Sequence, residues 1–168
     1  QHDPAMAARG FVLATRLVML AAFPFFLGLA ATADPLIHVV LGEKWLEAAP
    51  VARGLALAMP FMTLQALLVP ATDGRGRPRI AATNSAIGAL LLPCCYLVGV
   101  RWGVEGLATA WLVAMPLWFL ISAARSLPVI GVRAGEWAVA IAPPALAAVA
   151  MAAGVTAIDR LLPPTPDL

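Results

Sequence analysis

Residues 80–100 read IAATNSAIGALLLPCCYLVGV, a run without an acid or a base. Wound as an α-helix, such a run is about 32 Å long at about 1.5 Å per residue. The hydrocarbon core of a bilayer is about 30 Å thick. Four further uncharged stretches repeat the pattern, at 17–33, 54–72, 106–124 and 137–158. In hydrocarbon the backbone amides find no water, and a helix satisfies them within its own segment. The expectation is an all-α, polytopic transmembrane helix bundle. With their flanking apolar residues the spans become approximately 14–34, 50–70, 80–100, 104–124 and 136–157, in one bundle over residues 1–168.

Composition agrees. Hydrophobic residues make up 62% of the chain and charged residues 12%. That charge is about half of what a soluble domain carries, and mean hydropathy is +0.90. Most soluble enzymes, secreted domains and nucleic-acid binders are thereby set aside. Cys94 and Cys95 are adjacent inside an apolar stretch, with no cysteine elsewhere to pair with. They read as small buried apolar residues rather than a redox or metal site. The polar start at Gln1 is not a signal peptide. With the proline-rich end at Pro163, Pro164 and Pro166, it leads to the expectation of a piece of a longer protein.

Charge placement gives an orientation. Arg9 and Arg16 precede the first span, Arg75, Arg77 and Arg79 follow the second, and Arg125 and Arg133 follow the fourth. The alternate connections carry Lys44, Arg53, Arg101 and Arg160, mixed with Asp34, Glu43, Glu47, Glu105 and Asp159. By the positive-inside rule the first set faces the cytoplasm. Trp45 and Trp102 then fall at the outer edge and Trp137 at the inner edge, as interface anchors, while Trp111 and Trp118 lie at packing positions within a span.

Between the first two spans, ADPLIHVVLGEKWLEAAP (33–50) is too polar and too short to cross. It reads as an outer connection with a short amphipathic helix at about 35–41 and a turn at Gly42. Pro24, Pro60, Pro93, Pro116 and Pro143 interrupt the spans. Small residues mark packing faces: Ala81, Asn84, Ser85 and Gly88 in the third span, and Gly106, Ala110 and Ala114 in the fourth.

Polar side chains at membrane depth usually face the protein interior or a wet cavity. Gln65 and Asn84 are candidates for lining a substrate cavity, with interhelical hydrogen bonding as the other reading. Arg53, at the outer start of span two, can face a lumen and meet an anion, or snorkel to head groups. Arg16 is its counterpart on the inner side. Arg75, Arg77 and Arg79 are candidates for anionic lipid or lipid-linked phosphate at the inner face, or serve only to set orientation. His38 reads as a surface group. No hydrolase or glycosyltransferase constellation is visible, so no catalytic residue, metal or cofactor is expected and the chain does not read as an enzyme.

The order of the pieces, FPFFLGLAATADPLI (23–37), then LGEKW with AAPV (41–51), then GRGRPR (74–79) and RWGVEGLATAW (101–111), resembles a known family. It is similar to the C-terminal part of the polysaccharide transporter family of the multidrug/oligosaccharidyl-lipid/polysaccharide (MOP) exporter superfamily, the Wzx-like oligosaccharide flippases. The resemblance runs over about residues 9–152, and the 41–51 segment is its most specific part. It implies two pseudo-symmetric bundles of twelve to fourteen helices in all, of which this chain would supply about the ninth to the thirteenth. It implies a bacterial inner-membrane flippase moving lipid-linked oligosaccharide, a polyprenyl diphosphate sugar, by alternating access. The implied partners are that lipid, membrane lipids and the remaining half of the transporter, with no nucleic acid. Alternatives are another exporter of the superfamily, such as a lipid II flippase or a drug/cation antiporter, and a multi-pass enzyme of polysaccharide assembly.

Overall fold

The computed structural model describes residues 4–161, and among them there is no strand. Five long helices run as α1 (Pro4–Ala31), α3 (Ala49–Asp73), α4 (Pro78–Gly99), α5 (Gly103–Ile130) and α6 (Ala134–Leu161), with a short α2 (Ala33–Leu41) after the first. Short 3₁₀ segments, Glu43–Ala48 and Val100–Trp102, lead into α3 and α5. Four segments are long and apolar enough to cross a membrane. The third, Pro78–Ile130, contains both α4 and α5 folded back on each other. The chain is thus an all-helical, polytopic membrane protein.

All five long helices start before the uncharged stretches, and α3, α5 and α6 also run past their ends. α1 starts at Pro4 rather than near residue 14, and α5 continues through Arg125 to Ile130. Hydropathy marks the thickness of hydrocarbon, whereas a helix stops only where its backbone is capped or broken. Arg125 is therefore a helical residue and not a loop residue. The breaks themselves use glycine where the backbone turns left-handed: Gly42 (φ 86°) ends α2, and Gly131 (φ 84°) ends α5. The short helix and its turn lie where the amphipathic pattern placed them.

α1 packs along α6 and α3, α3 along α5, and α5 along α4; α5 and α6 make little backbone contact although only residues 131–133 join them. The core brings Met19, Leu64, Leu68, Phe119, Leu127, Ile130 and Trp137 together from α1, α3, α5 and α6. Trp137 is only 4% exposed, stacked on Phe11 and tilted against Phe119, so it is a core residue rather than an interface anchor. Trp45 and Trp102 are exposed. Cys94 is exposed and Cys95 half-buried, both unpaired, so Cys94 lies on the outer surface of the bundle instead of inside it.

Glycines let α4 and α5 approach closely along their seam. A methyl group built on Gly99 would lie 2.6 Å from the Gly106 carbonyl oxygen and 2.7 Å from Ala110 Cβ. Glycine at both positions lets two backbones meet where any side chain would force them apart. Along the same seam Trp118 fills the space over Gly88, and Trp111 stacks on Tyr96 with ring centroids 5.7 Å apart. Trp111, Trp118 and Arg125 recur every seven residues, two helical turns, and so form one stripe of α5.

Candidate functional site

Helix ends leave their last four carbonyls without intrahelical partners. At the end of α1 one of these, Ala30 O, accepts a 3.1 Å hydrogen bond from Arg53 Nε, and Arg53 also pairs with Asp34. Each group is electrostatically suited to its place. A cation favours the C-terminus of α1, and Asp34, in the first turn of α2, favours the N-terminus of that helix. Arg53 thus ties the α1–α2 junction to the start of α3.

Two concavities flank this arginine. One, of about 690 Å³, is walled by α1, α3 and α6 and includes Asp34, Leu57 and Thr156. The other, of about 330 Å³, lies between α3 and α5 and includes Glu105 and Thr109. Arg53 lines both, with a side chain 41% exposed and Asp34 at 59%. An ion pair this open to solvent contributes little to stability, typically about 0–1 kcal/mol. Its guanidinium can therefore exchange Asp34 for another anion at small cost. A planar fork of donors suits a carboxylate or a phosphate.

A second polar cluster is buried apart from Arg125, which is exposed. Asn84, 4% exposed on α4, donates from Nδ2 to Ser126 Oγ (3.0 Å) and accepts at Oδ1 from Arg125 Nε (2.9 Å). Its backbone carbonyl accepts from Trp118 Nε1 (2.8 Å). Gln65, 7% exposed on α3, donates from Nε2 to Ser122 Oγ (3.1 Å), and its Oε1 is buried without a partner. Asn84 and Gln65 thus bond α5 from two sides instead of fronting the Arg53 concavities. Ser122 and Ser126 were not singled out from the sequence, and Arg125, Trp118 and Asp34 were read there only for charge placement or packing. The four-residue spacing of the two serines was the available signal for a polar stripe on α5.

The basic residues divide. Arg75 donates to Ile130 O, another orphan carbonyl at a helix end, and is half-buried. This bond places the α3–α4 loop and the α5–α6 connection at the same end of the bundle. Arg77, in the same loop, and Arg79, in the first turn of α4, are exposed. Arg16 is exposed and lines a groove of about 440 Å³ between α1 and α6 with Arg9 and Glu136. His38 lies 3.9 Å from Glu43 in the outer connection. Thr15 and Thr72, fully buried, return their hydroxyls to carbonyls of their own helices.

Residues 1–50, which take in α1, α2 and the entry to α3, match a family model described as polysaccharide biosynthesis protein. The teichuronic acid biosynthesis protein TuaB of Bacillus subtilis (strain 168) is 35% identical over 57 residues, 34% of this chain. The aligned stretch is 12% of the length of that relative, so the chain spans a small part of it. No solved structure matches. Fold and similarity together describe a polytopic helical membrane protein whose first 50 residues are similar to polysaccharide biosynthesis proteins.

Proposed function

We propose that the whole protein to which these helices belong is an inner-membrane flippase for lipid-linked oligosaccharide, working by alternating access. Many sugar hydroxyls and a diphosphate cannot pass bare through hydrocarbon, since each unpaired polar group costs several kcal/mol there, on the order of 2–7. A polar path between helix bundles removes that cost while the lipid tail stays in the bilayer. The observation that carries the reading is Arg53: a half-exposed cation at one end of the bundle, held by a weak ion pair and opening onto two concavities. It would meet the diphosphate or an acidic sugar in place of Asp34. The rest of the bundle, absent from this chain, would close the path. In this reading the protein moves its substrate and makes or breaks no bond.

Deletion of the gene discriminates this from a role in synthesis. Loss of a flippase leaves completed lipid-linked repeat units accumulating on the inner side while surface polymer disappears. Loss of an assembling enzyme upstream leaves those units unmade. Absence of the completed units in the deletion strain removes the proposal.

A further inference from the structure

A groove of about 650 Å³ runs between α5 and α6, and its origin is in the topology. The left-handed Gly131 ends α5 and turns the chain back within residues 131–133, but α6 then leans on α1 and leaves the α5 flank uncovered. The floor is buried and apolar, with Phe119 at 6%, Leu127 at 3% and Trp137 at 4% exposure. The walls are open, with Leu120 at 61%. At the mouth stands Arg133, exposed at the basic end of the bundle.

Two features fit one occupant. Along α5 the groove takes in residues 119–128, about 15 Å at about 1.5 Å per residue. That is half of a hydrocarbon core about 30 Å thick, the depth of one leaflet. Its only charged lining residue is the cation at the mouth, where a head group would sit. We propose that this groove holds an anionic membrane phospholipid of the basic-end leaflet, one acyl chain on Phe119, Leu127 and Trp137 and its phosphate on Arg133. Basic pockets between transmembrane helices recognise anionic head groups in this way.

The test uses the intact protein, purified and exchanged into nanodiscs of equal parts phosphatidylglycerol and phosphatidylcholine, with retained lipid counted by native mass spectrometry. Wild type should retain phosphatidylglycerol in preference. Arg133→Gln should cut that preference about fivefold, the value of one surface cation at about 1 kcal/mol. Arg101→Gln, at the opposite end, should leave it unchanged. Ala124→Trp fills the groove and should reduce retention of both lipids; the smaller Ala124→Leu keeps the comparison available if the tryptophan variant fails to fold. An undiminished preference in Arg133→Gln overturns the proposal. So does a groove that another helix or a second copy covers in the intact protein, or polyprenyl phosphate displacing phosphatidylglycerol at equal mole fraction.

Discussion

Asn84 of α4 donates from Nδ2 to Ser126 Oγ of α5 across 3.0 Å, and Arg125 Nε donates to Oδ1 of the same amide across 2.9 Å. One residue thus satisfies two neighbours across the seam. Asn84→Leu removes both bonds and leaves Ser126 and Arg125 without them. An interhelical bond in a membrane contributes about 0.6 kcal/mol on average, and leaving polar groups unpaired costs about 1–3 kcal/mol. We expect a loss of about 2 kcal/mol, seen as earlier thermal unfolding of the detergent-solubilised protein and lower abundance. Ser85→Leu, at an exposed position one residue on, should unfold like wild type.

Gln65 makes a useful contrast. It forms a single 3.1 Å bond to Ser122 while its Oε1 is buried and unpaired. Gln65→Leu gives up one bond and also removes that orphan, so its stability should change by less than about 1 kcal/mol. Unfolding at the same temperature as Asn84→Leu would show that the two amides act alike.

Gly99 and Gly106 define the closest approach of two helices. The atoms facing a new methyl on Gly99 are backbone carbonyl and Cβ, which cannot swing aside. Gly99→Ala and Gly106→Ala should each cost about 1–3 kcal/mol, the usual range for overpacking. Gly154 in α6 has nothing within 4 Å of such a methyl, so Gly154→Ala should be neutral or gain up to about 1 kcal/mol in helix propensity. Thermal unfolding of the three variants side by side checks the order.

The bond from Arg75 to Ile130 O puts two connections at one end of the bundle. In a background without Cys94 and Cys95, single cysteines at Arg77 and Gly135 should react with a membrane-impermeant thiol reagent only after the cell is opened. A cysteine at Lys44 should react in intact cells. The charge distribution predicts this sidedness, and reaction of all three from the outside contradicts it.

The spans were legible because lipid imposes a length: residues 80–100 and their four counterparts carry no charge over about 20 positions. So were the turn at Gly42 and the packing glycines Gly88 and Gly106, but not Gly99. Helix ends were not, since α5 runs on to Ile130 through an arginine that a hydropathy reading assigns to a loop. Nor were the pairings at the polar sites. Asp34 and Arg53 are 19 residues apart, and Asn84 and Ser126 are 42 apart. Such distances are closed by tertiary packing, about which a single helix's pattern says nothing. Trp137 was misplaced for the same reason: a tryptophan near a span end looks like an anchor until α1 and α5 close over it.

The account turns on Arg53, so the deciding measurement is surface polysaccharide in cells whose sole copy of the whole protein carries Arg53→Ala, scored at equal abundance. Its ion pair with Asp34 is solvent-open, so the protein should fold and accumulate normally, within about 1 kcal/mol of wild type. Export should nevertheless fall about tenfold or more, as removal of a charged contact worth about 1.5–3 kcal/mol implies, and Arg53→Lys should recover part of it. Unchanged export in Arg53→Ala would contradict the account, because the cation that fronts both concavities would then play no part in transport.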